Sequence, residues 1–134
     1  MGFIKDFFSP LPPCDICSFT LNPWPRDRTG VTAWTVIGGG LNVEFLICRH
    51  CSAAIQQSGL AHKNPTLVMG YLISRGIVER PPAHAYLQHD AWRRVWMHTL
   101  ETLRIPSIDE FQALAAIKAY EQAILDGFDG VAPP

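Results

Sequence analysis

The sequence predicts a mainly helical α+β fold, in which a small cysteine-rich module with a β-hairpin precedes three packed helices. Three observations carry that reading. All four cysteines fall in two Cys-x-x-Cys pairs, Cys14 with Cys17 and Cys48 with Cys51. Between the pairs, two β-rich runs flank Gly38-Gly39-Gly40, as the strands of a hairpin flank its turn. Beyond residue 60 the apolar side chains recur at intervals of three and four, the period of an amphipathic helix. The expected organisation is a module over residues 1–60, including an apolar N-terminal arm, and a helical region over 61–134 packed on it as one compact unit.

The arm carries Phe3, Ile4, Phe7 and Phe8, suited to covering a core surface. It ends in Ser9-Pro10-Leu11-Pro12-Pro13, which cannot continue a helix. After the first cysteine pair, Pro23, Pro25, Gly30 and the charged run Arg26-Asp27-Arg28 read as loop. Strands are expected over 31–37 and 42–47, the glycines between them supplying the positive φ of the turn. A short helix over 52–57 follows Cys51 and stops at Gly59. The next helix is punctuated by Asn64 as N-cap, Pro65 at its first position and Gly76 past its end, with Leu67, Val68, Tyr71 and Leu72 as its buried stripe.

Pro81-Pro82 break the chain again, and a single helix is expected over 84–103. Its stripe is Trp92, Val95, Trp96, Leu100 and Leu103. The last helix opens on Ser107-Ile108-Asp109-Glu110, in which Ser107 and Glu110 form a capping box. Its stripe, Phe111, Leu114, Ile117, Tyr120 and Ile124, leads to Gly127, with Phe128 closing the C-terminal turn and a frayed tail beyond.

The 134 residues suffice for a sizeable core, so a metal need not carry the whole fold. Eleven basic residues against twelve acidic ones leave a net charge of -1, without the basic excess expected of a protein bound to phosphate backbone. No apolar run approaches the ~20 residues that span a bilayer. The first residues are too short and interrupted for a secretion signal, and Asp6 spoils a myristoylation pattern. A cytoplasmic protein without membrane association is expected.

Two Cys-x-x-Cys pairs offer four soft thiolates, the ligand set that zinc takes in a tetrahedral structural site. The thirty residues between Cys17 and Cys48 exceed the usual spacer, but a hairpin returns the chain to its starting point. Cys48 and Cys51 follow the apolar strand and open a helix, whose N-terminal dipole favours thiolate. A first knuckle, a hairpin and a second pair on a helix N-terminus are the order of a treble-clef zinc finger. The segments Cys14-Asp15-Ile16-Cys17-Ser18 and Phe45-Leu46-Ile47-Cys48-Arg49-His50-Cys51 resemble the zinc-binding domain of the Clp-protease unfoldase. The likeness covers about residues 13–58; the longer loop departs from that family, and no ATPase follows. It implies Cys14, Cys17, Cys48 and Cys51 as ligands, and a finger that dimerises or captures partners.

Two other uses of the cysteines compete. Disulfides need an oxidising compartment, and no secretion signal is visible. Cys48-Arg49-His50-Cys51, after a strand and opening a helix, stands where a thioredoxin-like fold keeps its reactive dithiol, but this leaves the other pair unexplained.

A four-thiolate site has no open position for water or substrate, so an enzyme is not expected. His50 reads as an exposed loop histidine beside the metal rather than a ligand. His62, His84, His89 and His98 lack the i, i+4 spacing of helical metal ligands, and nucleophile-elbow, phosphate-loop and zinc-protease motifs are missing. Trp24, Arg26 and Arg28, with Arg49, form a candidate partner or nucleic-acid contact. Trp92, Arg93, Arg94 and Trp96 form a second, although both tryptophans lie on the core stripe. A helix-turn-helix over 65–75 and 86–103 would expose only Gln88, Arg93 and Arg94 to bases. The expectation is thus a non-enzymatic, zinc-stabilised interaction module binding a protein partner or a second copy of itself, as adaptor, regulator or inhibitor of a larger machine. A small nucleic-acid-binding or transcription-regulatory zinc finger is the first alternative, and a thiol-disulfide protein using Cys48 and Cys51 the second.

Overall fold

A computed structural model describes residues 14–17, 32–60, 64–106 and 109–127. The arm, the loop holding Trp24, Arg26 and Arg28, the Ser107 cap and Phe128 lie outside the described residues. Two strands, β1 (Thr32–Gly38) and β2 (Leu41–Ile47), pair antiparallel with Thr32 opposite Ile47 and Gly38 opposite Leu41. Gly39 and Gly40 alone make the turn, at φ +57° and +88°. That is the two-residue hairpin geometry that side chains disfavour. Gly38, expected in the turn, is the last residue of β1. Along β2, Val43, Phe45 and Ile47 are buried and alternate with exposed Asn42, Glu44 and Leu46, so one face of the hairpin meets the core.

Helix α1 (Arg49–Ser58) begins directly after Cys48, three residues earlier than its apolar pattern suggests, and ends at Gly59 with φ +73°. Helix α2 (Pro65–Ser74) has the expected start: Asn64 Oδ1 accepts the Thr66 amide at 2.9 Å. Asn64 Nδ2 also donates to Thr99 Oγ1 at 3.2 Å, tying this cap to a later helix. Gly76 takes the left-handed conformation past the helix end, at φ +71°.

The single helix expected over 84–103 is two, α3 (Ala83–Gln88) and α4 (Asp90–Thr102). His89 interrupts them with extended backbone, and its Nδ1 accepts the Trp92 amide at 3.3 Å, so it is the N-cap of α4. Trp92, Val95, Trp96 and Leu100 are buried as expected, whereas Leu103, the C-cap, is 43% exposed.

Helix α5 (Glu110–Gly127) turns most of its predicted stripe inward: Ile117 and Ile124 are buried, and Leu114 and Tyr120 pack against the core. Its buried residues are Ala113, Ile117, Glu121 and Ile124, while Phe111 is 80% exposed. Asp109 Oδ1 accepts the Gln112 amide at 2.8 Å and serves as a cap. Glu121, not expected inside, is only 3% exposed, and there Oε1 accepts Arg80 Nε and Oε2 accepts the Tyr86 hydroxyl, both at 2.6 Å.

Phe45 of the hairpin stacks against Trp92 of α4 at 4.9 Å between centroids, and Trp92 meets Tyr86 of α3 at 5.6 Å. Tyr86 touches Trp96 at 5.3 Å, and Trp96 reaches Tyr120 of α5 at 5.8 Å. This run of rings joins hairpin and helices in one hydrophobic core, in edge and tilted geometries that aromatic quadrupoles favour.

Candidate metal centre

Each cysteine pair reaches the centre by a different route. Cys48 and Cys51 are delivered by regular structure: β2 ends at Ile47, Cys48 is the N-cap of α1, and Cys51 lies in its first turn. Cys48 Sγ accepts the Cys51 amide at 3.5 Å, placing sulfur where orphan amides and the helix dipole favour negative charge. Cys14 and Cys17 sit on a turn outside any helix or strand, with Ile16 buried between them. Cys14 Sγ accepts amides from Ile16 at 3.4 Å and from Cys48 at 3.3 Å, so one sulfur is held by both halves of the site.

The four Sγ atoms lie within 4.8 Å of one another, with Cys17 and Cys48 sulfurs 4.0 Å apart. No disulfide joins them. Four sulfurs around one ion with arms of ~2.3 Å stand about 3.8 Å apart, so this spacing fits a tetrahedral metal shell. Cys14, Cys48 and Cys51 are wholly buried and Cys17 is 2% exposed. The four cysteines are therefore positioned to hold a metal ion away from solvent.

Their protonation follows from the same crowding. The Cys17 and Cys51 thiols donate towards Cys14, and with the backbone amides of Cys17 and Cys48 they hold Cys14 far below the ordinary thiol range despite its burial. Donation to Cys14 pushes Cys17 and Cys51 upward, and burial adds to the rise. Buried negative sulfurs are costly unless a cation or hydrogen-bond donors offset their charge.

The first knuckle is fixed by Asp15. Its amide donates to Leu46 O at 2.6 Å, and its Oδ2 accepts the Leu46 amide at 2.7 Å, so the turn is strapped to β2. Oδ1 lies 3.0 Å from His89 Nε2, and the Asp15 carbonyl accepts the Trp92 indole N–H at 2.7 Å. The sequence reading missed this arrangement. Its one local trace is an acidic residue between two ligand cysteines, and its partners lie 74 and 77 positions away.

The other proposed residues are distributed as follows. Arg49 opens α1 and is exposed, but its companions Trp24, Arg26 and Arg28 lie outside the described residues. His50 is not the exposed loop histidine expected. It lies in the first turn of α1, is half-buried, and its Nε2 has no hydrogen-bond partner among the described residues. It is not among the residues whose ligand atoms converge. Trp92 and Trp96 are core residues, while Arg94 lies on the exposed side of α4 and donates from Nη2 to Asn42 O at 2.9 Å. Among the described residues no helix is long and apolar enough to cross a membrane. Comparison with protein-family models, with curated proteins and with solved structures finds no match.

Proposed function

We propose that this protein is a non-enzymatic interaction module whose four-cysteine centre holds a structural zinc ion. The observation that carries the reading is the closed, buried cluster of four sulfurs, with every candidate ligand a cysteine. Thiolates select zinc over harder divalent ions, and zinc supplies no redox chemistry but binds such sets tetrahedrally. A shell completed by four protein ligands leaves no position for substrate, so the metal contributes folding energy. In finger peptides that contribution is on the order of 10–16 kcal/mol. The order of knuckle, hairpin and second pair on a helix N-terminus supports a treble-clef finger. The likeness of residues 13–58 to the zinc-binding domain of the Clp-protease unfoldase is the second support.

The partner under this reading is a protein: a second copy of the chain, or a larger machine that the module serves as adaptor, regulator or inhibitor. Cysteines not joined in disulfides suit a cytoplasmic location. Complete burial of Cys48 and Cys51 argues against the redox alternative, because a reactive dithiol must be reached by its partner. The nucleic-acid alternative rests on Trp24, Arg26, Arg28 and Arg49 and gains no support from the net charge of -1.

Sedimentation across a concentration range, together with chromatography on immobilised DNA, tests the reading. Zinc-loaded protein should pass the DNA column at low salt. Salt-insensitive, concentration-dependent association would identify a second copy as the partner, and a persistent monomer would direct the search to another protein. Retention that falls steeply with salt and is lost in Arg26→Ala, Arg28→Ala, Arg49→Ala would replace this proposal with the nucleic-acid reading.

A further inference from the structure

The first cysteine pair stands on a short turn, and among the described residues it owes its place to a few specific contacts. Asp15 uses all of its hydrogen-bonding groups. Its amide and Oδ2 bind Leu46, its Oδ1 meets His89 Nε2, and its carbonyl takes the Trp92 indole N–H. The direction of the imidazole bond follows from its other nitrogen. His89 Nδ1 accepts the Trp92 amide, so the ring proton is on Nε2, which donates to Asp15. His89 therefore has two separable tasks, capping α4 and gripping the knuckle.

We infer that Asp15, His89 and Trp92 form a clamp that positions Cys14 and Cys17 for the metal, making metal affinity depend on the seating of helix α4. This rests on the metal centre proposed above. These are positioning residues: none is a ligand, and they act by holding two ligands where the other two already stand. Cys48 and Cys51 are fixed by β2 and α1, so the freedom left to remove on metal binding belongs to the first pair. A group hydrogen-bonded directly to a metal ligand typically changes metal affinity 10- to 100-fold when it is removed. These side chains, one residue further from the sulfurs, are expected to act at the low end of that range. Coupling of this kind is reciprocal. Metal binding strengthens the seating of α4, and anything that draws the start of α4 away from Asp15 weakens metal binding by the same factor.

Two substitutions separate this role from simple support of the fold. His89→Asn keeps an N-cap oxygen for the Trp92 amide but is too short to reach Asp15. Trp92→Phe keeps a ring between Phe45 and Tyr86 but removes the N–H given to the Asp15 carbonyl. Thr102→Ala, on the exposed far end of α4, is the control. The experiment is equilibrium competition for zinc between the full-length protein and a chromophoric chelator. Thermal unfolding in excess zinc and the absorption of the cobalt-substituted protein are read alongside.

We expect His89→Asn and Trp92→Phe each to keep one metal per chain and a tetrahedral thiolate cobalt spectrum. Each should lose zinc affinity by about 10-fold or more, with the control unchanged. Affinities within twofold of the parent in both variants would overturn the clamp while leaving the metal centre standing. A parent protein that binds no zinc would overturn the metal centre, and the clamp with it.

Discussion

Glu121 is a carboxylate almost fully enclosed by the helical core, and its removal gives a sharp test of how that core is held. In Glu121→Ala the Tyr86 hydroxyl, on a side chain with no exposed surface, loses its acceptor. An unsatisfied buried hydroxyl costs about 1–3 kcal/mol. The shortened side chain leaves a small void worth about 1 kcal/mol. Arg80 contributes less, because its side chain is 39% exposed and can turn to water, so its share stays below about 1 kcal/mol. The expected loss is about 2–4 kcal/mol, a shift of about 1–2 M in the urea midpoint for a chain of this size. Urea unfolding followed by tryptophan fluorescence in excess zinc measures it. The double variant Glu121→Leu, Tyr86→Phe removes both polar partners and should recover to within about 1 kcal/mol of the parent. A single variant within about 0.5 kcal/mol of the parent, or a double variant no better than the single, would refute the reasoning.

Three further outcomes follow from the same geometry. Burial, then the neighbouring Glu121 charge, raises the Tyr86 pKa above the ordinary 10.0. Below that unfolded value the phenol is protonated in both states; above it the unfolded state alone ionises. Stability should therefore fall with pH beyond about 10 by about 1.4 kcal/mol per unit for this group. Burial raises Tyr120 in the same direction, so the slope specific to Tyr86 is the difference between the parent and Tyr86→Phe in denaturant titrations from pH 8 upward. Gly39→Ala should cost about 1–2 kcal/mol, because φ is +57° and the added Cβ would stand 3.4 Å from His98 Nε2. Gly38→Ala, in open space on the strand, should be neutral or slightly stabilising in the same melts. Trp96 Nε1 is buried without a hydrogen-bond partner among the described residues. Trp96→Phe trades lost ring volume against relief of that donor, and calorimetry should find a net change below about 1 kcal/mol.

What could be read from the sequence was whatever short-range chemistry encodes. The cysteine pairs announced their cluster by spacing, the glycines their hairpin by conformational need, and Asn64-Pro65 and Gly76 their helix by capping. The break at His89 was not readable, because 84–103 contains no proline or glycine and a histidine N-cap leaves no propensity signal. Along α5 the exposure of Phe111 and the burial of Glu121 were not readable for a related reason. Apolar periodicity favours Phe111 and has no way to put a glutamate in the core, whereas Arg80 and Tyr86 make that burial favourable from 41 and 35 positions away. The Asp15 clamp shares this character: each member is unremarkable in its local context, and only the packing of α4 against β2 brings them together. The burial of His50 was likewise not readable: it lies half-buried in the first turn of α1, its Nε2 without a hydrogen-bond partner among the described residues.

Metal content and a thiol count on protein purified without chelator decide whether the four sulfurs hold zinc in a closed site. One zinc per chain, with four thiols that react only after denaturation, is the predicted result. Absence of zinc, with Cys48 and Cys51 reacting rapidly in the folded protein or recovered as a disulfide, would contradict it.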